Sequence, residues 1–361
     1  MIHWRSATVE RVLATWAGAV EYDVRLAGGN EPVRALAYPA VVGTPEPGDR
    51  VLLNVSALGR GLGTGGLALV VALPDRLPAD PPAGPGHVVK ARYTPLQSMV
   101  LGVDEQESPH HELLREADDL AGMPVVVADL HSAVPAVLAG LRERSPGARV
   151  AYVMTDGGAL PLAFSRTVSA LAQAGWLAST ITVGQAYGGD LEAVNIHTGL
   201  LAAAHVVHAD VVVVAQGPGN LGTGTRWGFS GTSAGEAVNA AATLGGRAVA
   251  SLRVSQADAR TRHQGVSHHS LTAYGRVALA PADVPVPLLP GAFGAHVHAQ
   301  ASQLVAESGG RLRRYDVAVD GLEEALALSP VRLSTMGRGL EQDAASFLAA
   351  AAAGRHAATL V

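Results

Sequence analysis

The sequence predicts an α/β protein in which a small N-terminal β-barrel precedes a Rossmann-like, mainly parallel sheet with helices on both faces. Three observations predict this class. Short segments that alternate apolar and polar residues occupy residues 1–73, and a proline-rich segment occupies residues 74–90. Over residues 91–361, short apolar runs alternate with segments of helical periodicity, which is typical of βαβ units in a parallel sheet. We therefore expect a barrel, a linker and a Rossmann-like domain.

The predicted barrel consists of short strands separated by turns. Residues 19–26 alternate apolar and polar side chains with a period of two, as expected of a strand with one buried face. Residues 33–42 and 51–55 follow as further strands, and Pro39 favours an edge position or a bulge. Strands this short and this closely spaced predict a barrel of about five strands. Five prolines within residues 74–85 then predict a stiff linker.

The Rossmann-like domain is predicted from apolar runs of strand length. The predicted strands are residues 124–130, 148–155, 177–183, 210–215, 247–254, 284–289, 311–319 and 331–335. Continuous apolar runs are typical of parallel strands that are buried on both faces. Segments of helical spacing connect them. One of these helices is predicted to begin near Asp190, and the last is predicted to cover residues 341–358.

The composition excludes several functional classes. The chain has no cysteine, which excludes disulfides, thiolate zinc sites, iron–sulfur clusters and cysteine nucleophiles. Its single lysine, Lys90, does not follow a glycine-rich loop as a Walker-type phosphate site requires. The net charge of -5 provides no basic field that would recruit nucleic acid.

Location and partners follow from the same observations. The first residues contain no apolar core of a signal peptide, and the longest apolar stretch, about residues 198–215, contains two histidines and an aspartate. We therefore expect a cytoplasmic protein with neither a membrane nor a nucleic acid as partner. A homo-oligomer is expected because oligomers of identical chains are the commonest kind.

Polar and glycine residues follow each of the first five predicted strands of the sheet. These segments are residues 129–132, 155–158, 184–190, 216–225 and 255–258. Ligands of open parallel sheets bind beyond the carboxyl ends of the strands. The connections at the other edge, such as residues 143–147, resemble plain turns. This asymmetry predicts a small-molecule site at the carboxyl edge.

The glycine segment, residues 217–225, is the densest candidate for that site. Its glycines allow backbone N–H groups to converge on an anion, and the arginine that follows adds a forked contact to phosphate or carboxylate. The residues expected to bind the ligand are Gly217, Gly219, Asn220, Gly222, Thr223, Gly224, Thr225 and Arg226. The segment matches G-x-G-x-x-G, but the next helix is predicted to begin only near Thr232, and no acidic residue ends the following strand. Both observations disfavour a dinucleotide site, and a connection without a ligand stays open.

The histidine segment, residues 260–270, is the second candidate. It carries three histidines and two arginines within 11 residues, which is unusual for a protein core. Guanidinium groups and protonated imidazole bind phosphate, and imidazole transfers protons near neutral pH. The residues expected to act are Arg262 and His263 in phosphate binding, and His268 or His269 as general acid or base. The alternative is a solvated loop followed by a helix that Ser267 caps.

Two aspartates at strand ends form the third candidate. Asp156 follows the predicted strand 148–155, and Asp190 follows two glycines. Carboxylates in such places orient a ligand, bind a divalent cation or act as catalytic bases. A divalent cation would be held by Asp156, Asp190 and His263, although the neighbouring arginines favour an anion over a cation. Asp190 as a helix N-cap and Asp156 as a turn residue are the structural alternatives.

Four of these stretches together resemble a known family. Residues 155–161, 189–195, 217–225 and 262–269 are similar to a bacterial family catalogued as domain of unknown function 3866. The resemblance covers nearly the whole chain and agrees with a cytoplasmic protein. The family implies no activity, cofactor or catalytic residue, so the chemistry depends on the residues above.

The leading hypothesis is an enzyme, a hydrolase or group transferase, that acts on a phosphorylated or nucleotide-like small molecule. Its partner would be a small anionic ligand, held by the glycine segment and Arg226. Hydrolysis or group transfer is favoured over hydride transfer because no dinucleotide fingerprint is complete. The alternative is a sensor or assembly factor that binds such a ligand without turnover and contacts a partner through the barrel.

Overall fold

The computed structural model describes residues 1–29, 31–62 and 65–361. The chain divides into two compact units. The first comprises Met1–Pro85, Val89–Val100 and Ala163–Ser169, and the second comprises Gly86–Val88, Leu101–Leu162 and Ala170–Val361. The boundaries derived from the sequence, at residues 73 and 90, stay a prediction.

The first unit contains a closed five-stranded barrel, as predicted. Its strands are β1 Trp4–Trp16, β2 Ala19–Leu26, β3 Pro32–Ala37, β4 Arg50–Asn54 and β5 Ala68–Ala72. They close in the order β1-β2-β3-β5-β4. The predicted strand 33–42 is too long, because β3 ends at Ala37 and Pro39 opens a one-turn helix. Proline has no N–H for the ladder, and its fixed φ suits the first position of a helix.

The remaining strands belong mainly to a large sheet. In chain order they are β6 Val88–Lys90, β7 Ser98–Val100, β8 Pro124–Ala128, β9 Val150–Thr155, β10 Ser179–Thr182, β11 Leu191–Glu192, β12 Val211–Gln216, β13 Arg247–Ser251, β14 Val254–Ser255, β15 Gly265–Val266, β16 Ala282–Pro287, β17 Leu312–Val317, β18 Ser334–Thr335 and β19 Arg338–Gly339. Eight of them form one sheet in the order β11-β10-β9-β12-β8-β13-β16-β17. All of its pairings are parallel, which confirms the Rossmann-like prediction.

Helices of the second unit cover this sheet. In chain order the helices of the described residues are α1 Pro39–Val42, α2 His111–Leu114, α3 Val134–Arg144, α4 Arg166–Gln173, α5 Ile196–His205, α6 Ser233–Thr243, α7 His268–Thr272, α8 Gly291–Glu307, α9 Leu322–Ala327 and α10 Ala344–Ala357. Of these, α1 lies in the first unit, and α4 is divided between the two units. Strands β8 and β12 are buried along their whole length, because parallel strands covered on both faces have no solvated side. No helix among the described residues has both the length and the apolar character needed to cross a bilayer.

Helices α3 and α10 approach each other closely through glycine. A Cβ atom on Gly140 would lie 1.9 Å from the carbonyl oxygen of Ala351, and one on Gly354 would lie 1.9 Å from that of Val137. Twelve of the 14 residues of α10 are buried. At these two glycines the space between α3 and α10 therefore admits no side chain.

Two expected elements differ in the structure. The helix predicted near Asp190 begins only at Ile196, where Asn195 caps it by accepting a hydrogen bond from the Thr198 N–H. The short strand β11 comes first, because Asp190 is held by β10 rather than by a helix end. The predicted strand 331–335 is reduced to β18, which pairs only with β19 outside the large sheet.

Candidate functional site

The chain reverses its direction along the sheet around β8. It passes from β8 to β9 on one side and from β12 to β13 on the other, so β8 lies between β12 and β13. Ligands of doubly wound sheets bind at the carboxyl ends of strands beside such a reversal. The side chains found there are Asp129 after β8, Gln216 at the end of β12 and Arg253 after β13, and all three are buried.

Asp129 and Gln216 carry polar atoms that are buried without a partner. Within the described ranges, Oδ2 of Asp129 and Oε1 of Gln216 meet no hydrogen-bond partner. The Gln216 side-chain amide donates to the Asp129 carbonyl oxygen at 3.1 Å. Burial raises the pKa of Asp129 to about 6, although the positive charge of Arg253 opposes this rise. Unpaired buried groups of this kind cost stability and are uncommon away from functional sites.

A small cavity lies beside Asp129. It measures about 20 Å³, and its lining includes Ser132, Arg253 and Thr335. A cavity of about this size has room for one water molecule. The sequence placed Asp129 and Gln216 at the ends of predicted strands but indicated no role for Gln216, and Arg253 was not identified. The sequence feature that could have pointed to both residues is their position near the end of a predicted strand.

The glycine segment begins by touching the turn that follows β9. The Ala159 N–H donates to the Pro218 carbonyl oxygen at 2.7 Å. A Cβ atom on Gly158 would lie 2.1 Å from the Gly217 carbonyl oxygen, and one on Gly217 would lie 2.3 Å from that of Ala159. Glycine is required at these two positions because two crossovers of the sheet meet backbone to backbone.

The rest of the glycine segment folds back on itself. The Thr223 N–H donates to the Gly228 carbonyl oxygen at 2.7 Å, and the Gly228 N–H donates to Thr225 Oγ1 at 3.1 Å. The Ser230 hydroxyl donates to Asn220 Oδ1 at 2.7 Å. Helix α6 then begins at Ser233, as predicted, so the glycines do not open a helix. Gly219, Gly222 and Gly224 lie in the exposed part of this segment.

Three imidazoles converge in the histidine segment. The ring centroids of His263 and His268 lie 4.9 Å apart, those of His263 and His269 4.9 Å, and those of His268 and His269 4.3 Å. Ser267 caps α7 by accepting from the His269 N–H at 3.2 Å, as the structural alternative predicted. Its hydroxyl also bonds to His263 Nδ1 at 2.8 Å. Ser267 therefore holds the ring of His263 and the backbone of His269.

The connection that contains the glycine segment meets the histidine segment through an aromatic contact. Phe229, four residues beyond the glycine segment, stacks on His269 with ring centroids 3.8 Å apart and planes inclined by 3°. The sequence predicted that the glycine and histidine segments share one site. The contact at Phe229 brings the end of this connection, and not the glycines themselves, against the histidine segment.

Arg253 orients one of the three rings. Its Nη1 lies 3.3 Å from His269 Nδ1. Because guanidinium only donates, Nδ1 accepts and the ring proton is assigned to Nε2. Burial, together with the charge of Arg253, lowers the pKa values of His263 and His269 to about 3 and lowers that of His268. The rings are therefore neutral at pH 7, and the protonated histidine expected from the sequence is not found among them.

The arginines near the histidine cluster have different surroundings. Arg260 and Arg338 pair with carboxylates, whereas Arg262 is exposed to solvent. Arg260 is bidentate to Asp258, with Nε at 2.9 Å from Oδ1 and Nη2 at 2.8 Å from Oδ2. Asp258 is buried, and this side-chain hydrogen bond with Arg260 is the main reason that its pKa lies well below the usual range. Arg338 bridges Asp258 and Asp343 at 3.3 Å and 3.1 Å. Arg262 is exposed, so it is accessible to an anion.

A larger cavity lies beside the histidine cluster. It measures about 370 Å³, and we refer to it as the Arg226 cavity. The polar side chains that line it are Arg226, His268, Thr272, Arg276, Gln300, Gln303 and Glu307. Leu271 and Leu304 contribute an apolar wall. Two residues predicted from different segments, Arg226 and His268, thus line one space. Arg276 was not identified from the sequence, because it lies beyond the histidine segment and belongs to no motif.

Asp156 and Asp190 hold turns. Asp156 Oδ2 accepts from the Gln185 N–H at 2.8 Å, and Asp190 Oδ2 accepts from the Thr180 N–H and hydroxyl at 2.8 Å and 2.9 Å. The N-cap alternative for Asp190 is therefore wrong, because its carboxylate bonds to β10. Asp156 stabilises a turn, as its alternative proposed, but this turn is the one that follows β10 and not its own. Among the described residues, the group with metal-ligand spacing is His263, His268 and His269. The structure does not bring either aspartate into that group.

Comparison with known proteins gives a family and no activity. No curated protein matches the chain, and no solved structure does. A family model matches residues 34–354, which is most of the chain, and so bears out the resemblance found in the sequence. The chain belongs to the family described as "Protein of unknown function (DUF3866)".

Proposed function

We propose that the protein is an enzyme, a hydrolase or group transferase, that binds a phosphorylated or nucleotide-like small molecule in the Arg226 cavity. One observation carries this proposal: Arg226 and His268, which follow two different strands of the sheet, line the same cavity. The volume of about 370 Å³ lies within the usual range for small-molecule sites, roughly 300–1,000 Å³.

The charges of the cavity favour an anion. Arg226 and Arg276 supply two guanidinium groups, which stay charged at any ordinary pH and bind phosphate in a forked geometry. The carboxylate in the lining, Glu307, already accepts a hydrogen bond from Gln303 at 2.8 Å. The lining therefore has an excess of positive charge over negative.

The imidazoles supply the reactive groups of this proposal. A neutral imidazole accepts a proton or binds a metal ion. Proton transfer is the role that the sequence suggested for His268 and His269. His268 both lines the cavity and carries a buried Nε2 that has no hydrogen-bond partner in the described chain. A nitrogen without a hydrogen-bond partner is free to accept a proton from a ligand that comes within hydrogen-bond reach.

A scan of phosphorylated ligands tests the proposal. Pyrophosphate, nucleoside di- and triphosphates and sugar phosphates are added, and the thermal midpoint and ligand turnover are measured. We expect at least one ligand to raise the midpoint, because binding to the native state stabilises it, and to be turned over. Arg226→Gln should remove the stabilisation. Arg144→Gln, at an exposed position in the connection at the opposite edge of the sheet, is the matched control. Absence of stabilisation by every ligand contradicts the proposal.

A sensor or assembly factor is the second candidate. Strand β1 exposes Trp4, Val12 and Leu13, and exposed apolar side chains are common where a partner protein binds. Stabilisation by a ligand without turnover favours this candidate over the enzyme. The cytoplasmic location and the homo-oligomer stay predictions from the sequence.

A further inference from the structure

We propose that His263, His268 and His269 bind a transition-metal ion of the class that prefers imidazole, such as zinc, cobalt or nickel. One ring nitrogen from each histidine lies within 4.8 Å of the other two. Neutral imidazole is a preferred ligand of these metals. In the part of the chain that is described, no carboxylate joins the group. Magnesium and calcium, which require mainly oxygen ligands, are therefore not expected.

Two of the rings present a nitrogen suited to a metal. His263 is 1% exposed, and its Nδ1 is bonded to Ser267 Oγ, which leaves Nε2 for a ligand. A hydrogen bond at the other ring nitrogen is the usual support for a metal-binding histidine. His268 Nε2 is buried and unpartnered among the described residues. A metal ion at this point would satisfy a nitrogen whose burial is otherwise costly.

The geometry requires only a small closure. Zinc binds histidine nitrogen at ~2.0–2.1 Å, so tetrahedral ligands lie roughly 3.4 Å apart. The nitrogens in the structure lie up to 4.8 Å apart. A displacement of roughly 1 Å of each ring nitrogen, by rotation of its side chain, is therefore enough to form the site. The stacking of His269 on Phe229 holds that ring in its plane, and His268 has the greater freedom to move.

Arg253 is the main opposing group. Its contact with His269 Nδ1, at 3.3 Å, requires the ring proton on Nε2, so metal binding through Nε2 moves the proton to Nδ1 and ends the contact. Arg253 then still has a charged partner, the Asp258 carboxylate, whose Oδ2 lies 3.9 Å from its Nη2. The surrounding positive charge weakens the binding of a bare cation. It also favours an anionic fourth ligand on the metal.

The fourth ligand connects this site with the Arg226 cavity. Three protein nitrogens leave one position for water or a substrate oxygen, as in catalytic zinc sites. His268 belongs both to the cluster and to the cavity lining. Only this role of the fourth ligand rests on the proposed function. With the metal bound, His268 is a ligand, and proton transfer passes to the metal-bound water.

A titration with Co²⁺ tests the site, using the full chain without an affinity tag. We expect one Co²⁺ per chain, with the visible absorption of a tetrahedral or five-coordinate ion, and displacement by Zn²⁺. His263→Gln and His268→Gln should each weaken binding by at least about tenfold, the lower end of the loss seen when even an outer-sphere partner is removed. His197→Gln, at an exposed helical position, is the matched control and should leave the affinity unchanged.

Arg262→Gln distinguishes a cation site from an anion site. Arg262 is exposed, and its charge acts on His268. Removing it should tighten Co²⁺ binding by about two- to threefold, the effect of one screened charge. Weaker Co²⁺ binding in this variant, or unchanged binding in the two histidine variants, would overturn the proposal. So would absence of binding by the unmodified chain. Arg226→Gln should leave Co²⁺ affinity unchanged, so this proposal and the proposed function fail separately.

Discussion

Phe229 and His269 stack face to face, with ring centroids 3.8 Å apart. The phenylalanine ends the glycine connection after β12, and the histidine lies in the first turn of α7 after β15. This contact joins the histidine segment to the connection that carries the glycine segment. Because the ring of His269 is also held by Arg253, its plane and its tautomer are both fixed before any ligand binds.

A double-mutant cycle measures this contact. Phe229→Leu, His269→Gln and the double variant are unfolded with denaturant. We expect a coupling free energy of about 0.5–1.5 kcal/mol, the usual value for a stacked aromatic pair beyond simple burial. A coupling free energy near zero would show that the stacking is incidental.

The glycine segment makes a position-specific prediction. Gly217→Ala places a Cβ atom 2.3 Å from the Ala159 carbonyl oxygen. Backbone atoms cannot give way cheaply, so the free energy of unfolding should fall by about 1–3 kcal/mol. Gly222→Ala is the matched control, because its Cβ atom would meet nothing closer than 3.9 Å. We expect a change within about 0.5 kcal/mol there. Equal losses for the two variants in a urea titration would contradict the close approach.

Asp129 should make stability depend on pH. The pKa of Asp129 is about 6 in the folded protein and about 3.9 in an unfolded chain. The folded state therefore binds more protons between these values, and the free energy of unfolding falls as pH rises from about 4 to about 6. Above this window the burial of the carboxylate costs about 3 kcal/mol.

Asp129→Asn tests this dependence. The amide has a similar shape and no charge, so the variant should be as stable as the unmodified protein near pH 4. It should become more stable by up to about 3 kcal/mol at pH 7. Taking the difference between the two proteins cancels the groups that they share. A difference that stays constant from pH 4 to pH 7 would contradict the raised pKa. A stabilised variant with lost turnover would indicate that the acid is kept for function.

Gly354→Ala should destabilise the protein, although alanine has the higher helix propensity. Alanine gains about 1 kcal/mol over glycine in an exposed helix. At Gly354 its Cβ atom would lie 1.9 Å from the Val137 carbonyl oxygen, so Gly354→Ala should separate α3 and α10 and lower the thermal midpoint. Gly140→Ala should act in the same direction. A higher midpoint for either variant would mean that the two helices are not in such close contact.

The fold was predictable because its signals are local. The alternation along residues 19–26 and the apolar runs such as 124–130 depend only on neighbouring residues. The error at Asp190 arose because its partner is Thr180, ten positions earlier. A carboxylate before a helix has the same appearance in sequence whether it caps the helix or bonds to a strand.

The site was predictable only in part, for the same reason. The carboxyl-edge argument identified the segments that contain Arg226 and His268, because strand direction alone places them. It did not identify Arg276 and Gln300, which line the same cavity from a helical segment and from α8. Nor did it identify Arg253, whose importance comes from burial beside His269. Side chains brought together by tertiary packing leave no pattern in a single sequence.

The close fit of α10 has a consequence for how this domain is made. Strand β8 and helix α3 are synthesised long before α10, yet α10 lies against α3, β8, β13 and β16. Until α10 has been synthesised, the parts of β8, β13 and β16 that it covers stay exposed. Domains usually fold as units during synthesis, so this domain cannot complete its core before α10, a 14-residue helix about 21 Å long at ~1.5 Å per residue, is available.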